Sequence, residues 1–196
     1  MGNTTSLTLL ERLARDGDNA DWQRLLEIYK PFIKQRVSTY PDLLDQIEDI
    51  TQDVVMVLMR ELPTFQRQRV GSFRTFLKNI TLNQLRNAAR KTRRQPRPQG
   101  GGPDLEQSIE SLADPISIES ANWDKAHDSA VFNKIKGFIQ GDYSETTWRA
   151  FELHGIEGIP AKKVADMLGT SPNVVMLARS RILKRMRKEA EGLIER

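Results

Sequence analysis

"AKKVADMLGTSPNVVMLARSRILKRMRK", Ala161 to Lys188, decides the fold of the second half of the chain. Val164, Ala165 and Leu168 share one helical face, and Ala165 is small where a crossing helix must approach. Gly169 follows, free to take the positive φ that ends a helix. Ser171-Pro172 then starts another helix. A serine oxygen accepts from an orphan N–H of the first turn, and proline fits there because its missing N–H would have no intrahelical partner. Beyond it Val175, Ala178, Ile182 and Met186 form one stripe, which leaves Asn173, Met176, Ser180, Arg181 and Lys184 on the other face. Helix, glycine turn and capped basic helix make the helix-turn-helix pattern, whose second helix enters the major groove of DNA by its N-terminal half. A plain α-hairpin with a solvated basic face fits the same residues.

Working outward, the same periodicity recurs. Helices are predicted after Ser6 (Leu7, Leu10, Leu13 and Ala14 inward), over 21–36 with Pro31 inside it, over 44–62, over 72–92, and over 123–138, 144–154, 161–168 and 172–194. In 44–62 the inward set is Ile47, Ile50, Val54, Val57, Leu58 and Met59, and Pro63 ends the helix. In 72–92 it is Phe73, Phe76, Leu77, Ile80, Leu82 and Leu85. No strand-like alternation and no internal repeat interrupts them. "RRQPRPQGGGPD", with prolines 96, 98 and 103 around three consecutive glycines, breaks the pattern, and the acidic stretch after it has few large apolar residues. The expected fold is all-α: two small helical domains, over 1–95 and 123–196, joined by a flexible acidic linker over 96–122, the second containing the helix-turn-helix.

The chain has 196 residues and no cysteine, which removes disulfides, thiolate metal sites and cysteine nucleophiles together and fits a reducing, cytoplasmic home. The start, "MGNTTSLTLLERLARDGDNA", turns charged too early for a signal peptide, and no apolar run is long enough to span a bilayer, so no membrane partner is expected. The net charge of +4 hides alternating blocks. Asp42, Asp45, Glu48, Asp49, Asp53 and Glu61 stand against Arg60 alone in 41–61. Ten cations and no acid follow in 66–97. The sign then reverses in 98–130, with Asp104, Glu106, Glu110, Asp114, Glu119, Asp124 and Asp128 against Lys125, and the end of the chain is basic again. Four blocks of alternating sign imply several distinct surfaces.

"QIEDITQDVVMVLMRELPTF" followed by "GSFRTFLKNITLNQLRNAARKTRR" resembles the promoter-melting domain of bacterial RNA polymerase sigma factors, and the C-terminal half resembles their second DNA-binding domain. In this order the two are similar to sigma factors of the extracytoplasmic-function (ECF) type. "EDITQDV" and "GSFRTFLKNIT" are the most specific pieces. The resemblance implies a sigma factor that binds core RNA polymerase and directs promoter-specific initiation by recognising and melting promoter DNA. It places Asp49, Gln52 and Asp53 against the clamp coiled coil of the largest polymerase subunit, with Ile50 and Met56 as apolar support. An acidic helix is suited to a basic protein surface, since carboxylates repel phosphate. An ordinary exposed helix face is the plainer reading.

The cationic block then matches the part that captures the proximal promoter element as a single strand, which needs phosphate-binding cations and room for an unstacked base. Gln66, Arg67, Arg69, Ser72, Arg74 and Thr75 lie there, and Lys78, Asn79, Asn83 and Arg86 continue the track at helical spacing. Phe73 and Phe76 fit the buried face, with base stacking as the alternative. For the distal element the resemblance puts Met176, Leu177, Ser180 and Arg181 at bases, of which Arg181 alone can make a bidentate contact to guanine. Lys162, Lys163, Asn173, Arg179, Lys184 and Arg185 are phosphate candidates. "MLA", Met176 to Ala178, departs from the polar or basic residues many relatives carry there, so a base preference does not carry over. The family's connector threads through the polymerase cleft and RNA exit path, a role open to the acidic stretch alongside that of a simple tether. An anti-sigma protein is a further partner such a factor can have.

Catalysis finds no support in the residues. His127 and His154 are the only histidines and lie in different segments, Glu48 and Asp49 diverge around a helix, "GGGP" lacks the lysine and hydroxyl of a phosphate loop, and no metal-ligand spacing occurs. Neither a cofactor nor a metal is therefore expected. The competing function is a helix-turn-helix regulator that binds duplex DNA independently of polymerase. It predicts specific binding by the free protein, where a sigma factor predicts binding that strengthens on the core enzyme.

Overall fold

A computed structural model describes residues 8–65, 72–93 and 105–194, and among these the regular structure is helical throughout. The helices are α1 (Leu9–Asp16), α2 (Asn19–Val37), α3 (Ile47–Glu61), α4 (Ser72–Arg93), α5 (Leu105–Ala113), α6 (Ile118–Gln140), α7 (Glu145–Phe151), α8 (Ala161–Leu168) and α9 (Pro172–Ala190). Short 3₁₀ turns cover Pro41–Gln46 and Leu62–Thr64, and a π turn, Glu152–Ile156, extends α7. The chain divides into two compact units, one running to Val131 with the last residues from Gly192, the other Phe132–Glu191.

In the first unit the caps explain the helix starts. Thr8, rather than the expected Ser6, opens α1: its hydroxyl accepts from the Glu11 N–H while the Glu11 carboxylate accepts from the Thr8 N–H, a reciprocal capping box. Asp18 caps α2, which starts two residues before the predicted Asp21. Pro31 sits within α2 on an exposed position beside solvent, so the one helical hydrogen bond it forgoes lies away from the core. The predicted helix over 44–62 is split, with the 3₁₀ turn at Pro41–Gln46 leading into α3. Ile50, Val54 and Leu58 bury as expected, together with Thr51 and Val55, whereas Met59 is exposed and Val57 only half-buried.

α2 packs on α3, α3 on α4 and α4 on α5. Leu25, Tyr29, Phe32 and Ile33 of α2, Leu58 of α3 and Phe73, Leu77 and Leu85 of α4 are all buried between these helices. Phe73 is buried, with its ring 5.5 Å from that of Tyr29, while Phe76 is half-buried against Phe65 at 4.8 Å. The core reading of these phenylalanines therefore holds fully for Phe73 and in part for Phe76.

The same core extends into residues the sequence assigns to a linker and a second domain. The expected linker over 96–122 differs from the structure: α5 lies within it and buries Ile109 and Leu112, and α6 begins at Ile118. Trp123, expected to open the second domain, is 2% exposed, with its ring 4.9 Å from Phe32. His127 is buried beside Tyr29, with ring centroids 5.7 Å apart. The physical reason is economy of apolar surface. Three large side chains spaced along 109–123, Ile109, Leu112 and Trp123, suffice when α2 and α4 supply the other wall, although they could not form a core alone.

The second unit has its own small core of Ala150, Leu153, Val164, Ala165, Val175 and Ala178, with Ile159, Ala161 and Leu168 packed against it. Ser144 caps α7 through the Thr147 N–H. Gly169 ends α8 at φ 62° and ψ 38°, the left-handed conformation expected of it. The Ser171 hydroxyl accepts from the Val174 N–H, and Pro172 takes the first turn of α9. The predicted helix over 172–194 stops at Ala190, ahead of Gly192 at φ 86°.

Candidate functional site

Three faces bear the predicted site residues. On α3, Asp49, Gln52, Asp53 and Met56 are all exposed, at the i, i+3, i+4 and i+7 spacing of one helix face. Met56 is 60% exposed and Met59, at 41%, adjoins it. Ile50 does not belong to this face. At 3% exposure it lies on the stripe of Val54 and Leu58, four residues apart along the buried side. Asp49 and Asp53 make no ion pair among the described residues, whereas neighbouring Glu48 pairs with Lys34. The face therefore offers two uncompensated carboxylates beside thioether surface, a chemistry that suits a basic and partly apolar protein groove.

The second face is on α4. Gln66, Arg67 and Arg69 lie outside the described residues, and Ser72 is described only as the first residue of α4. Thr75, Asn79 and Asn83 are exposed. Arg74, Lys78 and Arg86 are half-buried, and each is already engaged. Arg74 reaches Asp128 at 3.0 Å and Asp124 at 3.3 Å. Lys78 reaches Asp124 at 3.1 Å and donates to the Ser120 hydroxyl at 2.8 Å. Arg86 donates to both oxygens of Glu110, at 2.8 and 2.6 Å. Those bonds hold the Glu110 carboxyl below its usual range and raise the Arg86 guanidinium.

Behind these pairs, His127 accepts from the Tyr29 hydroxyl at Nε2 (3.2 Å) and donates from Nδ1 to Asp128 (3.0 Å). That assignment uses the neutral imidazole, in keeping with burial, which pushes its pKa below the ordinary value. The periodicity places Asp124, His127 and Asp128 on a helix of a second domain and Glu110 in a linker, so it does not bring them to α4. The signal was present: a block of cations followed directly by a block of carboxylates.

The third face is on α8 and α9. Lys162, Lys163, Asn173, Met176, Leu177, Arg179, Ser180, Arg181, Lys184 and Arg185 are exposed, while Val175, Ala178, Ile182 and Met186 are buried. The split matches the expected stripe. Arg185 is drawn aside, 3.1 Å from Glu189 and 3.8 Å from Asp142. Val174, 45% exposed, joins Met176 and Leu177 at 52% and 44%, so the N-terminal half of α9 presents apolar surface and the following turn presents cations.

No helix among the described residues is long and apolar enough to cross a membrane. No curated protein matches the chain. Residues 25–95 match the family model described as Sigma-70 region 2, a span that takes in most of α2, all of α3 and all of α4. The first two faces described here fall inside or against that span, and the match supports a sigma factor, with a role in RNA polymerase binding and promoter melting.

Proposed function

We propose that this protein is a sigma factor of the ECF type, which binds core RNA polymerase through α3, captures the proximal promoter element as a single strand along α4, and reads the distal element in duplex DNA with α9. The observation that carries the reading is the Sigma-70 region 2 match over 25–95, within which α3 exposes Asp49, Gln52, Asp53 and Met56 on one face. On this reading the partner of α3 is the clamp coiled coil of the largest polymerase subunit, since an acidic face with a thioether flank complements a basic helical pair.

The distal role rests on α8, the left-handed Gly169 and the Ser171-capped α9, whose exposed face carries Arg181 and Lys184. Helix α9 would lie in the major groove with Met176 and Leu177 against thymine methyls and Arg181 within reach of a guanine edge. Lys162, Lys163, Arg179 and Lys184 would meet phosphates and so fix register without reading sequence.

The test is reconstitution of the full chain with core polymerase, followed by transcription from a library of randomised promoters. A sigma factor yields transcripts enriched for two spaced elements, and only when core is present. Specific duplex binding by the free chain at affinities unchanged by core polymerase would instead establish an independent DNA-binding regulator.

A further inference from the structure

The cations of α4 that the proposed function assigns to single-stranded DNA are covered by the chain's own carboxylates. Arg74 and Lys78 share Asp124, Arg74 also holds Asp128, and Arg86 holds Glu110 in a two-oxygen fork. A carboxylate taking parallel bonds from a guanidinium offers the same acceptor geometry as a phosphate. We propose that α5 and the first half of α6 form an intramolecular mask over the cationic face of α4, which single-stranded nucleic acid must displace. The proposal rests on the reading of α4 as a nucleic-acid face.

Two properties suit the segment to this task. Its apolar anchors are Trp123, buried against Phe32, and Ile109 and Leu112, buried in α5, while His127 stacks on Tyr29 and holds Asp128 in place through Nδ1. Its carboxylates are open to different degrees: the Glu110 side chain is 58% exposed and those of Asp124 and Asp128 39%, with the Asp124 oxygen that faces Arg74 and Lys78 itself buried. Arg86–Glu110 is the most open of these pairs, and a part-exposed pair contributes little to stability individually, so a phosphate replaces its carboxylate most readily, and the more buried Lys78–Asp124 pair yields last. The packing sets where the mask sits, and the exposed pairs set how readily it yields. Carboxylates from two successive helices thus reach three cations spaced along one side of α4.

The experiment uses the full chain and a fluorescein-labelled twenty-nucleotide oligo-dT, with binding read by anisotropy across a salt series. Asp124→Asn and Asp128→Asn combined with Glu110→Gln remove the competing charge at nearly constant shape. This variant is expected to bind about tenfold tighter than the wild type. Its salt dependence should be steeper by about two ions, because three uncovered cations each release about 0.7 ion from a single strand. Adding Arg74→Ala, Lys78→Ala and Arg86→Ala should abolish the gain. Glu110→Gln alone touches only the exposed pair, leaves the core intact, and should give a smaller gain of the same kind.

A second measurement needs no nucleic acid. Lys78, whose side chain is only 13% exposed, should be acetylated several-fold more slowly in the wild type than in the charge-neutralised variant, with exposed Lys162 as the internal standard. Equal Lys78 reactivity overturns the mask. So does neutralised protein that binds no tighter while loss of the three cations still weakens the wild type, an outcome that leaves the nucleic-acid reading of α4 standing. If loss of the cations changes binding in neither background, that reading fails and the mask falls with it.

Discussion

At the scale of single residues, His127 is a tightly held titratable group. It is buried, and its two ring nitrogens are matched one to one by Tyr29 and Asp128. Protonation would place a second hydrogen on Nε2, facing the Tyr29 hydroxyl, whose own pKa burial has raised well above normal. The folded pKa of His127 lies below the ordinary value of 6.5, so on acidification the unfolded chain takes up this proton first. Stability is then full above the ordinary histidine range and falls as pH drops through it, levelling once the folded form also protonates. Urea melts of the wild type from pH 8 to 5 should show this loss, and His127→Gln should be less stable at pH 8 yet show a flatter profile between pH 7 and 5. Equal slopes for the two proteins would show that other groups carry the acid sensitivity. His154 is a different case. It is half-buried, and its Nδ1–H donates to the Ile159 carbonyl at 2.8 Å, which ties the π turn to the entry of α8.

At the scale of elements, glycines report which turns are built to tolerance. A Cβ on Gly155 would lie 2.8 Å from Cδ2 and 3.0 Å from Cε2 of Phe151, whose ring is fully buried and has nowhere to go. Gly155→Ala is expected to destabilise by about 1–3 kcal/mol through overpacking. At Gly169 the space is open but φ is 62°, so Gly169→Ala should cost about 1–2 kcal/mol from backbone strain alone. Gly141→Ala meets nothing within 4 Å and should stay within about 0.5 kcal/mol of the wild type. Denaturant melts of the three variants rank them directly. The Gly169 turn and the α9 stripe were legible in the sequence because both depend on neighbours a few residues away. Helix α5 and the true position of Trp123 were not. Local spacing does place Ile50 on the inward stripe of α3, where it is buried, and its assignment to the exposed face comes from the resemblance alone. Nothing within ten residues of Trp123 shows that Phe32 waits for it. Charge runs likewise announce surfaces without saying that two of them close on each other.

At the scale of the whole molecule, the proposed function divides labour between faces on different helices, and the division itself can be tested. The acidic face of α3 lies outside the core stripe of Ile50, Val54 and Leu58, so charge reversal at Asp49 and Asp53 adds long, solvated side chains without disturbing packing. Surface changes of this kind shift stability by about 0.5 kcal/mol or less, so helical circular dichroism should persist. Asp49→Lys with Asp53→Lys should nonetheless abolish capture of core polymerase in a pull-down, because two attractive charges become repulsive against a basic groove. Arg181→Ala should do the opposite, leaving core capture intact and changing which promoters the holoenzyme selects. Arg181 lies one turn beyond Leu177 on the exposed side of α9, and a bidentate contact to guanine contributes about 1–3 kcal/mol of discrimination, so preference at one base pair of the distal element should flatten. Lys184 lies farther along the same helix, where a phosphate contact would weaken every sequence alike and lower the salt dependence by about one ion when removed. Selection on a randomised distal element, run with holoenzyme carrying each variant, separates these outcomes. Unchanged preference for Arg181→Ala at every position would mean that α9 meets DNA by another edge, with the apolar Val174, Met176 and Leu177 surface as the next part to test.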